Sequence, residues 1–279
     1  MSAPPGVETA WPAPAKLNLF LHVMGRRADG YHELQTAFQL VDLCDTIYIT
    51  PRDDGRIERT VPLADIPEDA DLTIRAARAL KAAVQTGAGA SIRVKKRIPT
   101  GGGLGGGSSD AATTLIALNR LWACGLPLPE LARLGLTLGA DVPVFVHGTS
   151  AWAEGVGEVL TPLELPERWF LIIHPGVSVG TGEVFQAPEL TRNSAPLTMR
   201  AFLESGSGRN DCEAVVRARF PAVASALEWL GRFASARLTG TGSCVFASFT
   251  SAADAERVAA RVPDEWTAFV ARSLNVSPV

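Results

Sequence analysis

The chain has little excess charge of either sign. Its 26 lysines and arginines stand against 29 aspartates and glutamates, which gives a formal net charge of −3 at pH 7. Proteins that bind nucleic acid broadly usually carry a strongly basic face, so this balance argues against a nucleic-acid partner. It leaves open a local basic pocket for a small anionic ligand.

Cysteine and histidine are both scarce, with four residues of each. No two cysteines have the C-x-x-C spacing, so we expect four reduced thiols that are mostly packed in the interior. The histidines form neither H-E-x-x-H nor H-x-x-x-H, so we expect no zinc site. The residues concerned are Cys44, Cys124, Cys212, Cys244, His22, His32, His147 and His174.

Long apolar runs are also missing. No stretch approaches the roughly 20 uncharged apolar residues that a membrane-spanning helix needs, and the longest candidate, residues 131–146, contains Arg133 and Asp141. Residues 1–14 have no basic segment followed by an apolar one, so they do not resemble a secretory leader. We therefore expect a cytoplasmic protein without a membrane partner. The sequence does not indicate its oligomeric state.

The chain is long enough for two domains, because one domain typically takes roughly 150 residues. Strand-like and helix-like segments alternate without an internal repeat, which favours an α/β or α+β fold. We predict a domain boundary near Leu160, which divides the chain into residues 1–160 and 161–279.

The first predicted strand, Ala15–Val23, has two different faces because strand side chains alternate. One face carries Leu17, Leu19, Leu21 and Val23, and the other carries Lys16, Asn18, Phe20 and His22, which include the polar groups able to do chemistry. Further strand-like pieces are predicted at 34–43, 46–50, 91–98, 169–173, 244–249 and 267–271. Helices are predicted at 71–86, 111–122, 212–219, 222–233 and 252–262, and a loop with an irregular strand at 52–69.

A glycine-rich run lies between the strand at 91–98 and the helix that follows it. Residues 99–112 are PTGGGLGGGSSDAA. Glycines let the backbone approach a phosphate closely, and successive N–H groups at a helix start bind anions. The serines of the run can cap the helix or donate hydroxyls to phosphate oxygens. We interpret the run as a phosphate-binding loop.

Three other interpretations of this run are weaker. A flexible linker does not usually lie between a strand and a strongly periodic helix. A Walker A loop requires G-x-x-x-x-G-K-[ST], and no lysine follows these glycines. Gly101, Gly103 and Gly106 match the dinucleotide pattern G-x-G-x-x-G, but no clear strand ends in an acidic residue about 20 residues later.

Four segments in order resemble the GHMP kinase superfamily. GLGGGSSDAA at 103–112 is similar to its phosphate-binding motif, and PAKLNLFLHVMGRRADGYHELQTAFQLVDLCD at 14–45 is more specific. LTLGADVPVFVHGTSAWAEGVGE at 136–158 and RLTGTGSCVFA at 237–247 also match, and HPGVSV at 174–179 and NDCE at 210–213 fit too. The resemblance covers nearly the whole chain.

This resemblance implies a two-domain α+β fold with the active site in the cleft between the domains. Residues 1–160 would be the ATP-binding N-terminal domain, and 161–279 the smaller, substrate-binding C-terminal domain. The first motif resembles the members of the superfamily that phosphorylate the 2-hydroxyl of a methylerythritol linked to cytidine diphosphate, in the non-mevalonate isoprenoid route. Two alternatives stay open: a kinase for mevalonate, homoserine or a sugar, and a catalytically silent nucleotide-binding protein.

The resemblance also assigns two catalytic residues. Without the resemblance, Lys16 could equally be a solvated lysine on a strand, and Asp141 could be an aspartate in a turn or at a helix cap. In the family the lysine stands beside the reacting hydroxyl, and the aspartate accepts the hydroxyl proton, a role worth on the order of 10²–10⁴ in rate.

The substrate residues are likewise implied by the resemblance. Tyr31 would stack on the cytosine ring, His32 would hydrogen-bond its edge, and Phe185 would lie on the other side of the ring. Without the resemblance, the first two would be an exposed turn pair and Phe185 a core residue. Asn18 and the second glycine loop, with Gly240, Thr241 and Gly242, complete the predicted substrate site.

The predicted ATP site is larger and centres on the glycine run. Lys96 is either part of a solvated charge run or close to ATP. Asp110 is either an acidic residue in the first turn of a helix or a ligand of Mg²⁺. We expect Mg²⁺ to accompany ATP, but the sequence assigns no ligand set for it. The predicted ATP-binding residues are Lys96, Asp71, Leu72, Pro99, Thr100, Gly101, Gly102, Gly103, Leu104, Gly105, Gly106, Gly107, Ser108 and Ser109.

Overall fold

The computed structural model describes residues 6–63 and 66–279. Residues 1–5 of the segment searched for a leader, and residues 64–65 of the predicted loop, lie outside the described residues. In chain order the elements are β1 (Thr9–Arg26), β2 (His32–Arg52), β3 (Ile57–Arg59), α1 (Leu72–Val84), β4 (Gly89–Lys95), α2 (Gly106–Leu121), α3 (Leu128–Leu136), α4 (Val142–His147), β5 (Ala151–Glu154), β6 (Val159–Pro162), β7 (Trp169–His174), α5 (Thr181–Gln186), α6 (Met199–Ser205), α7 (Cys212–Arg219), α8 (Pro221–Gly231), β8 (Arg237–Leu238), β9 (Val245–Phe249), α9 (Ala252–Ala259) and β10 (Thr267–Leu274).

One mixed sheet runs through both halves of the described chain, in the order β3-β4-β2-β10-β7-β9-β8. Its central strand, β2, also pairs antiparallel with β1 and β5. The last strand returns to the first half, because Ser273 and Leu274 of β10 pair with Val41 and Leu40 of β2. The predicted boundary near Leu160 is therefore not a break in the sheet, and it stays a prediction.

Four apolar clusters build the interior of the described chain, and a small one of them surrounds Phe20, Trp152 and Phe202. The first packs α1, α2 and α4 onto β2 and β4, and the second packs α7 and α8 onto β7 and β9. The third joins the two halves, since Leu17 and Leu43 of the first half contact a cluster that contains Phe170, Ile172 and Phe246 of the second. Burial of shared apolar surface thus holds the two halves against each other.

Most predicted elements are confirmed, with three differences. The pieces predicted at 34–43 and 46–50 form one strand, β2, since Cys44 and Asp45 between them pair with Pro14 and Ala13 of β1. The Asp45 side chain is buried and accepts hydrogen bonds from the backbone N–H groups of Arg97 and Ile98. The second face of β1 is not simply polar, because Phe20 packs on Trp152 and Phe202. The hairpin of β5 and β6, the four helices from α3 to α6 and the short strand β8 were not predicted.

Within the described residues, no helix has the length and apolar character required to cross a membrane. The four cysteines are free thiols. Cys212 and Cys244 are buried, and Cys44 and Cys124 are half-buried.

Candidate active site

A cleft of about 830 Å³ opens between the two halves of the chain. The first half contributes β1, the start of β2 and the glycine loop, and the second half contributes α5 and the loop before β9. Of the predicted site residues, Ser109 and Gly242 do not line the cleft, and all the others do. Ser109 lies fully buried in the first turn of α2, and Gly242 faces Leu238.

Lys16 and Asp141 meet inside this cleft. The Lys16 ammonium lies 3.3 Å from Asp141 Oδ2, and it donates hydrogen bonds to Asn18 Oδ1 at 2.6 Å and to the Gly103 carbonyl at 3.1 Å. Two hydrogen bonds and one ion pair thus compensate the burial of the ammonium. The alternative that Lys16 is a solvated lysine on a strand is therefore wrong.

The β1 backbone explains how Lys16 and Asn18 come together. The pairing of β1 with β2 shifts register between Pro14 and Ala15, and again between Asn18 and Leu21. The two side chains stand two residues apart on the regular stretch between these irregularities, and they therefore share one face. Asn18 is oriented further by donating from Nδ2 to Thr36 Oγ1 at 2.9 Å.

Asp141 precedes α4, but its carboxylate makes no capping hydrogen bond to that helix. Its side chain is 34% exposed toward the cleft, whereas the Lys16 side chain is 4% exposed. The carboxylate is therefore available to accept a proton from a molecule bound in the cleft, with the ammonium beside it to stabilise negative charge.

The glycine loop wraps the end of the cleft and leads into α2. Gly101, Gly103 and Gly105 all have positive φ, which favours glycine. A Cβ on Gly103 would stand 2.2 Å from the carbonyl oxygen of Thr239. The N–H groups at the start of α2 then face a cleft end suited to an anion.

The second glycine loop, 239–243, is hydrogen-bonded directly to the first. Ser243 N–H donates to the Gly101 carbonyl at 3.1 Å, and Cys244 N–H donates to the Gly102 carbonyl at 3.0 Å. These bonds engage two carbonyls of the first loop with the second half and fix the loop backbone beside the cleft.

A cluster of charged side chains lies beside the glycine loop, and two of its members, Lys96 and Asp110, line the cleft. Lys96 Nζ forms ion pairs with Asp45 at 2.5 Å and Asp110 at 2.8 Å. Burial raises the pKa of Asp110 to about 7, against the opposing effect of the Lys96 ammonium, and the Asp45 carboxylate adds to the increase. One Asp110 oxygen, Oδ1, has no hydrogen-bond partner among the described residues.

Asp71 lines the cleft, but its carboxylate is engaged in contacts with neighbouring residues. It caps α1 by accepting from Thr73 N–H at 2.9 Å, and it pairs with Arg59 at 3.1 Å. The neighbouring Leu72 contributes an apolar wall. A hydrogen bond donated to the Asp71 carboxylate by a bound ligand would therefore compete with the helix cap.

The predicted base-binding residues lie together at the other end of the cleft. Tyr31 is 63% exposed at the cleft rim, and the His32 ring stacks on Phe185 with ring centroids 5.0 Å apart. Burial lowers the pKa of His32, with further contributions from the positive charges of Arg192 and Arg26. Arg192 donates a hydrogen bond from Nε to His32 Nε2 at 3.1 Å.

Two groups near the site escaped the sequence analysis. Arg192 is a single arginine in an irregular proline-rich segment, where no spacing marks it. Asp211 ties the halves together, since its carboxylate accepts from Val23 N–H at 2.8 Å and from the Ser194 hydroxyl at 2.6 Å. The NDCE motif at 210–213 contains Asp211, but the motif alone does not predict that Asp211 binds the backbone of β1.

Comparison with known proteins places the chain in a well-defined group. Residues 71–149 match the model of the GHMP kinases N terminal domain, and residues 187–268 match that of the GHMP kinases C terminal domain. A curated relative from Halorhodospira halophila, named 4-diphosphocytidyl-2-C-methyl-D-erythritol kinase, is 58% identical over 97% of this chain and 95% of its own.

Solved structures agree with this match. A crystal structure of 4-(cytidine 5'-diphospho)-2C-methyl-D-erythritol kinase has a TM-score of 0.83 and 35% identity, and the match covers 95% of this chain and 99% of that one. Methanococcus jannaschii mevalonate kinase has a TM-score of 0.70 at 18% identity, with 98% of this chain and 100% of that one covered. The second similarity concerns the fold alone.

Proposed function

The chain belongs to the 4-diphosphocytidyl-2-C-methyl-D-erythritol kinase family of the GHMP kinases, and from this premise we propose that it phosphorylates the 2-hydroxyl of 4-diphosphocytidyl-2-C-methyl-D-erythritol with ATP. The product is the 2-phosphate, a precursor in the non-mevalonate isoprenoid route. The observation that carries the proposal is the ion pair of Lys16 and Asp141 in a cleft that also contains the glycine loop.

In the proposed reaction, the substrate hydroxyl oxygen forms a bond to the γ-phosphorus of ATP while the bond from that phosphorus to the β–γ bridging oxygen breaks. ADP leaves with the electron pair of the broken bond. Asp141 accepts the hydroxyl proton, and the Lys16 ammonium stabilises the developing negative charge. Phosphoryl transfer depends mainly on positioning and charge stabilisation, and the fixed ion pair of Lys16 and Asp141 contributes to both.

The glycine loop holds the ATP phosphates through backbone N–H groups at the start of α2. Its rigidity supports this role, since the loop carbonyls are bonded to Ser243, Cys244 and Lys16. Lys96 lies near the loop and lines the cleft, where its ammonium balances the carboxylates of Asp45 and Asp110. Gly240 and Thr241 border the same space from the second half, beside the substrate.

The cytidine group binds at the opposite end, between Tyr31 and the Phe185 side of the cleft. An exposed tyrosine can close over a flat base, and stacking of this kind is worth about 1–3 kcal/mol per base. His32 contributes a hydrogen bond to the base edge. This end of the cleft distinguishes the proposed substrate from mevalonate, homoserine and sugars, which carry no base.

Mg²⁺ is the metal that we propose to accompany ATP. The described residues contain no group of three or more metal-ligating side chains, but Mg²⁺ at nucleotide sites is usually held by one or two carboxylates together with phosphates. Asp110 fits this arrangement, because it lines the cleft and keeps Oδ1 without a partner. When bound, Mg²⁺ would neutralise part of the phosphate charge.

A coupled ADP-release assay tests the proposed function. The purified chain is given ATP with the cytidylyl substrate, with mevalonate or with homoserine, and ³¹P NMR identifies the product. We expect turnover with the cytidylyl substrate and a new phosphomonoester at its 2-position. Turnover with only mevalonate or homoserine, or ATP binding without any ADP release, would overturn the proposal.

A further inference from the structure

Arg192 links the two halves of the chain at the base-binding end of the cleft. It lies in the irregular segment after α5, and its guanidinium reaches the ring of His32 at the start of β2. The same ring stacks on Phe185 of α5, with an interplanar angle of 24°. His32 is therefore held by an aromatic face on one side and by a cation at its edge.

The direction of the Arg192 guanidinium is fixed by backbone acceptors. Nη2 donates to the carbonyls of Phe185 at 2.9 Å and Ala187 at 2.7 Å, and Nη1 donates to the carbonyl of Leu190 at 3.1 Å. With these nitrogens engaged, Nε points at His32 Nε2. Every nitrogen of the guanidinium thus has a partner within the described residues.

This geometry determines which nitrogen of the His32 ring carries the proton. Arginine is a donor only, so His32 Nε2 must present its lone pair to Arg192. In a neutral imidazole the proton then lies on Nδ1. A doubly protonated ring would place an N–H against the guanidinium, and the pKa of His32 is lowered by burial, by Arg192 and by Arg26.

The proton on Nδ1 makes His32 a hydrogen-bond donor to any base in the cleft. Cytosine presents an unprotonated N3 that accepts a hydrogen bond, whereas N3 of uracil carries a hydrogen. A fixed N–H donor therefore pairs with N3 of cytosine and opposes N3 of uracil. An imidazole of the other tautomer would present a lone pair and reverse this preference.

We propose that Arg192 is a positioning residue that holds His32 in its Nδ1–H tautomer and thereby makes the base site select cytosine over uracil. This inference deepens the proposed function and rests on it for the identity of the base. The tautomer itself is a property of the free protein, so it can be measured separately.

The first test is ¹⁵N NMR of histidine-labelled free protein at pH 7.5. We expect the His32 resonances of the wild type to show an unprotonated Nε2 and a protonated Nδ1. Arg192→Met removes the guanidinium and should shift His32 toward the Nε2–H tautomer. Arg26→Met is the matched control, because it removes a nearby positive charge that donates no hydrogen bond to His32, and it should keep the wild-type tautomer. A wild-type Nε2–H tautomer would overturn the inference.

The second test compares kcat/KM for the cytidine diphosphate substrate and for its uridine diphosphate counterpart. One unsatisfied polar contact corresponds to about 10- to 100-fold in this ratio, so Arg192→Met should lower the preference for cytosine by that factor. KM for ATP should change less than about threefold, and Arg26→Met should retain the preference. An unchanged preference in a folded Arg192→Met variant would contradict the proposal. Failure of the wild type to use either substrate would instead contradict the proposed function and leave the NMR result standing.

Discussion

At the scale of single residues, the site depends on a buried ammonium that makes two hydrogen bonds and an ion pair. An isolated charge in the interior is costly, and removing one partner of such a group leaves the other uncompensated. Lys16 avoids this cost through Asp141, Asn18 and the Gly103 carbonyl. The same contacts hold the catalytic carboxylate in place, so stability and chemistry share these side chains.

Asp141→Asn removes the proton acceptor while keeping the size of the side chain. We expect kcat to fall by about 10²–10⁴, the usual contribution of a positioned base, and the Kd for ATP to change by only a few-fold. Coupled ADP release and calorimetric titration of ATP measure the two quantities. Asp264→Asn, at an exposed position, is the control and should retain wild-type turnover. A wild-type kcat in Asp141→Asn would remove the proposed role.

Tyr31→Ala removes the exposed ring at the cleft rim. Because stacking of a base on an aromatic side chain is worth about 1–3 kcal/mol, we expect KM for the cytidylyl substrate to rise by about 5- to 100-fold, with little change in KM for ATP. Tyr31→Phe keeps the ring and should stay close to the wild type. Equal increases of both KM values in Tyr31→Ala would argue against stacking.

At the scale of elements, the two glycine loops form one unit. The first loop follows β4 and the second precedes β9, and their backbones are hydrogen-bonded to each other. The close approach requires glycine at Gly103, where φ is +74° and an added Cβ would collide with Thr239. The ATP loop is therefore shaped by a contact with a segment more than one hundred residues away in the chain.

Gly103→Ala should separate the two loops. We expect it to destabilise the protein by about 1–3 kcal/mol, as for strain at a left-handed position, and to raise KM for ATP more than KM for the cytidylyl substrate. Urea unfolding and steady-state kinetics measure these effects. Gly231→Ala is the matched control, since nothing lies within 4 Å of an added Cβ there. If both variants behave alike, the loop contact does not shape the ATP site.

At the scale of the whole molecule, the halves are held together by a continuous sheet and a shared apolar cluster. β10 pairs with β2 across the centre of the sheet, and Asp211 joins β1 to the segment before α7. The cleft walls come from both halves, so their distance is set by these connections. The fold thereby controls how far the base site lies from the phosphate site.

Stability of the whole molecule should respond to pH through histidines that are buried or half-buried. Burial lowers the pKa of His174, against the opposing hydrogen bond to the Val177 backbone, and the pKa values of His22 and His32 are also lowered. Because the unfolded histidine titrates near 6.5, the unfolded chain takes up protons that the folded chain resists as the pH falls below that value. The free energy of unfolding contributed by these groups therefore decreases with acidification.

Between pH 7.5 and pH 5, the free energy of unfolding should decrease less in the His174→Gln variant than in the wild type. Asp110, with its pKa raised to about 7, acts in the opposite direction, but it is common to both proteins and cancels in the comparison. Urea unfolding in metal-free buffer at several pH values measures the difference. Identical pH dependence of the two proteins would show that His174 resists protonation no more in the folded chain than in the unfolded one.

The sequence by itself determined the local elements and the chemistry they carry. The helical spacing after Asp71 predicted α1, and the run after Pro99 predicted a phosphate loop, because turn chemistry and side-chain periodicity act over a few residues. Lys16 and Asp141 were identifiable as candidates from motifs, with roles that rest on the family resemblance. Those roles stay predictions until the variants are measured.

The tertiary structure decided which of these groups meet. Nothing in the spacing predicts that Lys16 lies 3.3 Å from Asp141 or that β10 pairs with β2. It also does not predict that the strand β2 continues through Asp45. Arg192 had no signal at all, because a single residue in an irregular segment has no periodicity. Such contacts follow from how distant faces pack against one another, and that packing is a property of the whole chain.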